Sequence, residues 1–562
     1  MRLFIASIFT VGLLFLMLLT LVFTIFYITG FIEWYILIGL TIFLNFLFWL
    51  VGPYFSDWIY RFFYHLEWIE IEGLSKRNKD VADFVRAACR KNNIKVPKIG
   101  YINDDNPTSF TYGSAAFNAR IVFTEGVFTY LKPNEIKTVF AHEIGHVVHR
   151  DFIVMAIASV IIQTFYEVYR ISISILRTRG GGRKNKGKAF FIVTAIVGYI
   201  FYIIATYILL YLSRIREYFA DDFSARETRD PNGLSSALVK IAYGIVKNPE
   251  DKKQLDLLKS TRAYNIFDFK IAKTIGLAYC NAVEEKKWSP VEGAILFDNY
   301  NPWAFFSEIS STHPLTGKRI EKLSEIAKEL RLRPMFNIED LYTKYQVDKK
   351  RLYRNFSVDL FFLLLPILLM IFSIIFYGIT IGVPQEIRTL EVYVTSTQLL
   401  IKNIIGIILA SLGIGYFIKT SYSYSTKSGF PKTDIADLMD DIYTSPVKGR
   451  PNSLKGEIVG RGVPGLIFSE DMMFRDSTGL IYLNYESLIP FFGNLIFALT
   501  KVKDLVGKKC EIEGWFVRGL SHWIELNKIY VDGKEIKSRV RLLGIIFGLA
   551  LASIGAFIFF YI

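Results

Sequence analysis

Long apolar runs alternate with mixed polar stretches along this chain, and the length of each run decides its reading. Residues 3–33 carry no charge before the last position, and residues 34–55 form a second apolar block directly after them. Together they predict a helical hairpin anchor, because a cleaved signal core spans only about 7–15 apolar residues before a small-residue cleavage site. Residues 189–213, 360–385 and 542–562 are free of charge over 25, 26 and 21 positions. Each reaches the ~20 residues that cross a bilayer. Residues 152–166 and 403–418 are shorter, at 15 and 16 uncharged positions. The second of these has Lys402 and Lys419 at its ends, long enough to snorkel toward water. The pattern predicts six or seven spans, the third being the least certain.

Between the spans the pattern changes. Residues 455–460, 470–485, 508–519 and 522–536 are short runs rich in β-formers, with turn signals at Asp476–Gly479 and Asp532–Gly533. They predict a small β-rich domain, either an OB-like barrel or a sandwich. The whole reads as an α-helical multi-pass membrane protein with an α+β soluble lobe and a small C-terminal β-domain. The expected divisions are 1–55 (transmembrane hairpin), 56–354 (mixed region, with a membrane hairpin at 152–213), 355–419 (transmembrane pair), 420–541 (β-rich domain) and 542–562 (last span).

The 562 residues are 52% hydrophobic and 21% charged, with a net charge of +14. That apolar content excludes disorder. Basic residues gather beside the spans, at Arg351, Arg354, Arg539 and Arg541. By the positive-inside rule, segments 56–151, 214–354 and 420–541 belong on the cytoplasmic face of a cell membrane. The loop 177–188 disagrees, with six basic residues and no acid on the opposite side. Charge therefore reflects membrane topology, and neither a nucleic-acid motif nor an ATP-binding Walker loop is present. The 3 cysteines are scattered, without a CxxC pair, so neither disulfides nor a cysteine metal site frame the fold.

Three of the 6 histidines fall in residues 134–151, NEIKTVFAHEIGHVVHRD. Pro133 and Asn134 open a helix. On it His142 and His146 are four apart and share one face, so both rings can grip one cation. Glu143, next to the first ring, can reach a water held by that cation and take its proton. Neutral imidazoles suit zinc, one ion per chain. An HExxH arising by chance, in a chain with so few histidines, is the weaker explanation. The extended pattern with a third downstream histidine fails, since His149 and Phe152 stand at the glycine and last-histidine positions. The third ligand must come from elsewhere, and SRIREYFADDFSA (213–225) offers Glu217, with Asp221 four residues on to orient a histidine. Asp222 and Glu227 compete locally, and a solvated acidic patch is the bland alternative. His149 suits a supporting role better than ligation. Residues 119–124 alternate as a strand. If that strand is an edge, Arg120, Ile121, Val122 and Phe123 can pair with a substrate backbone; an internal strand is the alternative.

AHEIGHVVHRD, the hydrophobic hairpin and SRIREYFADDFSA resemble the HtpX family of membrane zinc metalloproteases, relatives of the CaaX prenyl-protein endoproteases. VFTEGVF (122–128) and STHPLTGKRIEKL (311–323) extend the resemblance across about residues 1–335. It implies that 56–354 is a zinc protease region with an α+β zincin-like cytoplasmic catalytic lobe, with His142, His146 and Glu217 as zinc ligands and Glu143 as general base. It also implies that His313 and Arg319 act near the substrate or the oxyanion, where an arginine and a histidine donor can stabilise developing charge. The competing reading of that motif is a helix N-terminus capped by Ser311 or Thr312. The chain departs from the family at PTSFTYG (107–113), where Thr108 replaces an expected asparagine. The implied activity is an endopeptidase acting on misfolded membrane proteins, with protein substrates and lipid as partners and neither nucleic acid nor ATP required. A homo-oligomer is compatible with all of this. The alternative function is a non-catalytic scaffold or holdase around a structural zinc.

Overall fold

The computed structural model describes residues 34–178, 185–247, 288–381, 390–461, 471–519 and 522–561. The first apolar block and most of the basic loop near residue 181 lie outside them. In chain order the first elements are α1 (Trp34–Tyr64), β1 (Glu67–Trp68), α2 (Glu70–Arg77), α3 (Lys79–Lys91), β2 (Lys98–Ile102), β3 (Ser109–Tyr112), β4 (Arg120–Thr124), α4 (Glu125–Tyr130), α5 (Pro133–Val148), α6 (Asp151–Thr178), α7 (Asn185–Thr228) and α8 (Pro231–Lys247). Then follow α9 (Ser289–Tyr300), α10 (Pro302–Ile309), α11 (Thr316–Glu329), α12 (Ile338–Lys344), α13 (Lys349–Ile381), α14 (Leu390–Ser423) and α15 (Ile435–Asp440). The last are β5 (Arg450–Arg461), β6 (Met472–Arg475), β7 (Leu480–Asn484), α16 (Phe492–Thr500), α17 (Val502–Leu505), β8 (Lys509–Arg518), β9 (His522–Val531), β10 (Lys534–Lys537) and α18 (Val540–Tyr561).

Five helices among the described residues are long and apolar enough to cross a bilayer, at Asp151–Leu176, Ala189–Thr228, Lys349–Ile379, Leu400–Ser423 and Val540–Tyr561. The chain is thus a helical membrane protein. The short third run of the sequence is part of an unbroken 28-residue helix, because Glu167 pairs with Gln163 and Arg170 on the same helix instead of ending it.

The chain divides into two compact units. The first holds a four-stranded sheet, ordered β1-β2-β4-β3, with β2 parallel and β3 antiparallel to β4. Every residue of β4 is buried. The expectation of an open edge at Arg120–Phe123 is therefore corrected: neighbours occupy both sides of β4, and β3 is the edge. Arg120 is engaged besides, since its guanidinium donates to both Asp57 carboxylate oxygens on α1 at 3.0–3.3 Å and to the Asn118 carbonyl. In β3 the period-2 alternation separates two tasks. Phe110 and Tyr112 pack with Tyr60 and Leu66, while Ser109 and Thr111 face the opposite way.

The membrane hairpin of α6 and α7 packs through Ala158, Ile161, Phe165 and Ala205. The 44-residue α7 continues without interruption past its apolar part. It meets α5 at Gly145, where a Cβ would stand 3.1 Å from the Ala220 Cα. Ser224 Oγ adds a 2.6 Å hydrogen bond to the Thr138 carbonyl. At its start, α5 is fixed by Glu135, which accepts from the Lys132 amide at 2.7 Å and pairs with Lys240 on α8 at 2.6 Å.

The second unit carries α13, α14, α18 and a closed β-barrel. Strands run β9-β7-β6-β5-β8 and β8 closes back onto β9, with β7 and β9 parallel and β10 added to β9 as a hairpin. Alternating buried residues such as Ile458, Phe474, Leu483, Ile512, Phe516 and Ile524 fill the interior. The Asp532–Gly533 turn uses two left-handed residues, φ 50° and 71°, as a tight hairpin demands. Helices α14 and α18 approach along small residues. A Cβ on Gly413 would lie 2.3 Å from the Ala552 nitrogen, and one on Gly555 would lie 2.2 Å from the Ala410 nitrogen. Close backbone approach of this kind holds membrane helices together where lipid offers no hydrophobic drive.

Gly413→Leu and Gly555→Leu are expected to lower stability by at least about 1–3 kcal/mol through overpacking. Gly378→Leu, with open space around it, should be close to neutral. Thermal unfolding of the reconstituted chain distinguishes the two positions.

Candidate metal centre

Four segments of the first unit converge on one buried point. Helix α5 supplies His142, Glu143 and His146, all with little or no exposure. The Nε2 atoms of the two histidines lie 3.2 Å apart. Glu217 on α7 reaches in from the facing helix, its oxygens 3.5 Å from each Nε2. Four-coordinate zinc with bonds of about 2.0–2.1 Å separates its ligand atoms by about 3.3 Å. The three donors match that spacing, and among the described residues they form the metal-compatible His/Cys/Asp/Glu group. Glu217 Oε2 is buried without a hydrogen-bond partner among the described residues, an orphaned acceptor aimed at the same point. Two imidazoles and one carboxylate leave a fourth position open, as a catalytic zinc requires.

The opposite nitrogen of each ring faces a second carboxylate. His142 Nδ1 lies 3.0 Å from Asp221, and His146 Nδ1 lies 2.6 Å from Asp151. These contacts fix the tautomer that points Nε2 inward. Burial opposes charge on His142, but Asp221 and Glu217 outweigh it and push its pKa up to about 9.

Each carboxylate is itself held. Arg319 on α11 donates to both Asp221 oxygens, at 2.8 and 2.7 Å, from a fully buried position. Its Nη1 is 3.7 Å from Glu217. The expected oxyanion arginine is therefore committed to a carboxylate that orients His142. Arg216 pairs with Asp151 at 3.1 Å. His313 stands nearer the centre, its Nε2 3.6 Å from Glu217 and its Nδ1 2.9 Å from the Thr312 hydroxyl. The turn carrying it is pinned by Arg214, which donates to the carbonyls of Glu308, Ile309 and Ser311 at 2.9–3.2 Å. Helix α11 begins only at Thr316, so Ser311 and Thr312 do not cap it.

Glu143 takes two hydrogen bonds from β3, from Ser109 Oγ at 2.6 Å and Thr111 Oγ1 at 2.5 Å. The segment that departs from the family pattern is thus the one that holds the carboxylate beside the metal ligands. His149 ends up elsewhere. It caps α5 and its ring meets Phe219 and Phe223 edge-on at about 6 Å, where burial holds it below the ordinary imidazole value. The competing acids are engaged away from the centre, Asp222 with Arg226 and Glu227 with Lys91.

Asp151, Ser109 and Thr111 are the contributors that motif reasoning missed. Asp151 ends the quoted histidine motif, but its contact depends on Arg150, whose left-handed φ of 57° reverses the chain after His149. An acid just after such a reversal is a usable signal. A cavity of about 900 Å³ opens from the centre, where His146 and Glu217 line it, and runs between α1, α6 and α7 past Trp49, Tyr60, Gln163 and Leu210.

Known proteins share part of this sequence. Residues 75–327 match peptidase family M48. A protease HtpX homolog of Picrophilus torridus is 30% identical over 294 residues, covering 51% of this chain and 84% of the relative. HtpX homolog 2 of Saccharolobus solfataricus is 30% identical over 297 residues, with 51% and 84% coverage. The crystal structure of S. mikatae Ste24p aligns with a TM-score of 0.32 at 17% identity, covering 57% of this chain and 66% of that one. With its HExxH helix and facing glutamate, the chain belongs to the HtpX-like membrane metalloproteases of peptidase family M48.

Proposed function

We propose that this protein is a zinc-dependent endopeptidase that hydrolyses peptide bonds of misfolded membrane proteins, with its catalytic and β-rich parts on the cytoplasmic side of the cell membrane. The observation that carries the reading is the 3.2–3.5 Å triangle of His142, His146 and Glu217 with Glu143 alongside. Zinc, when bound by those three residues, supplies a Lewis acid that polarises a peptide carbonyl and makes water a better nucleophile. Glu143 takes the proton of the attacking water and delivers it to the leaving amine. Ser109 and Thr111 hold that carboxylate in place until substrate arrives. His313 offers an N–H donor where negative charge develops on the carbonyl oxygen. Asp151, Asp221 and, through Asp221, Arg319 keep the rings aligned.

Strand β3 is an outer strand of the sheet among the described residues, and its Thr111 and Tyr112 line the cavity, so an extended substrate can pair with it by main-chain bonds and with little demand on sequence. The cavity between α1, α6 and α7 leads from the apolar helices to the centre, a route for segments that leave the bilayer. Both features suit a protease that removes unfolded chains. The barrel reads as an OB-like fold, from its strand order and from the helix between its third and fourth strands. We assign it a docking role instead of a catalytic one.

Glu143→Gln is expected to keep one zinc per chain while casein cleavage falls about 10²–10⁴-fold. Persistent turnover in that variant rejects the general-base role. Glu217→Ala should lose the metal itself, read by elemental analysis; an unchanged zinc content moves the third ligand elsewhere. Asp151→Asn and Asp221→Asn should each weaken zinc affinity about 10–100-fold without abolishing it. Competition with a graded series of chelators measures this.

A further inference from the structure

The barrel carries an apolar surface that the protease site does not explain. Between β7 and β8 the chain reads ESLIPFFGNLIFALTKVKDLVGKK. In it Leu488, Ile489, Phe491, Phe492 and Ile496 are 58–74% exposed. The helix that follows, α16, is apolar on both faces. Asn494, Phe497 and Ala498 face the barrel, where Phe497 stacks on Tyr485 with ring centroids 3.7 Å apart. Phe492, Ile496 and Leu499 recur at helical spacing on the outer side and are 66, 61 and 47% exposed. A helix that is apolar all round is a buried helix, so its outer face lacks its cover. Phe491, just before it, holds φ at 66°, a left-handed conformation that a bulky residue rarely adopts.

The position of this surface identifies the cover. Glu486, just before it, is tied to the root of α18. The Arg539 amide donates to the Glu486 carbonyl at 2.7 Å, and the Glu486 amide donates to Ser538 Oγ at 3.0 Å. Asn494 of α16 closes the set. Its side-chain amide donates to Glu486 Oε1 at 3.0 Å and its oxygen accepts from the Ser487 amide at 2.8 Å. The apolar surface is therefore fastened where α18 begins its apolar span, and Leu542 and Ile546 of that span are themselves exposed. Exposed Lys501 and Lys503 follow α16, and Arg539 and Arg541 border the root of α18. Apolar side chains rimmed by cations at a span entry match the headgroup–acyl boundary of a bilayer.

We propose that residues 488–499 are an interfacial wedge, inserted about 5–10 Å into the headgroup–acyl boundary of the same bilayer that α18 crosses. The wedge gives the barrel a second membrane contact beside its helical tether and fixes which of its faces turns to the lipid. The basic residues pair with lipid phosphates, and the aromatic and aliphatic side chains lie among the upper acyl carbons. The proposal does not depend on the peptidase reading.

The test uses the full-length chain in nanodiscs of phosphatidylcholine and phosphatidylglycerol. Cys280 is replaced by serine, while Cys89 and Cys510 are buried. An environment-sensitive fluorophore is attached at Phe492→Cys, at Ile496→Cys, and at Ser477→Cys in the exposed β6–β7 turn. With phosphatidylcholine that carries a nitroxide near the headgroup, the labels at 492 and 496 should lose most of their emission, and the label at 477 should keep it. A label at Leu488 repeats the measurement should either site fail to react. Quenching at 492 and 496 no greater than at 477 overturns the proposal. That holds whether the labels then report water or a second polypeptide covering the face.

Discussion

The closeness of two helices governs the candidate metal centre. His142 and His146 are set by the geometry of one helix, but a third donor has to arrive across a gap that any side chain at the contact would widen. Gly145 removes that obstacle, and Ala220 opposite is the next smallest residue. The backbone approach that results lets a glutamate, with a short reach, touch both imidazole nitrogens. It also places Asp221, one turn further along, behind His142. Everything outward from there serves to keep buried charge balanced. Three carboxylates sit among two imidazoles, and two arginines answer the outer pair. Removing one member of such a network leaves its partner charged and dry, which is far costlier than losing a surface ion pair.

The origin of the facing helix adds to this. Helix α7 is membrane-apolar in its first part and ionic in its last, with no break between. A rigid rod thus links the bilayer depth of the hairpin to the position of Glu217. The loop that carries His313 is hung from the same rod by Arg214. The candidate metal ligands, His313 and the apolar cavity therefore share one frame.

Much of this was legible in the sequence. Spacing alone put both histidines on one face, and the pair Glu217 and Asp221 stood out because four residues separate them on a helix that leaves an apolar block. Strand runs and the Asp532–Gly533 turn marked the β-domain. What stayed hidden has a common cause, namely that it depends on relations between segments. The alternation of residues 119–124 showed a strand but not its neighbours, and sheet order made it central and left the edge to Ser109–Tyr112. Arg319 could be recognised as a motif arginine, but its partner is 98 positions away. Asp151 only closed the histidine motif in the sequence and became the companion of His146 through a left-handed residue between them. Barrel closure, likewise, rests on a β8–β9 pairing that no local pattern announces.

The glycine seam between α14 and α18 bears on how the β-barrel can move. The chain enters the barrel region after Ser423 and leaves it at Val540, so the barrel hangs from two helices instead of one. With their backbones in contact along the seam, the two behave mechanically as a single twin-stranded stalk. A load suspended from one helix can swivel about a few single bonds, whereas one held by a paired stalk resists torsion. Any reorientation of the barrel must then turn the stalk with it, so a force applied to the barrel is felt within the bilayer.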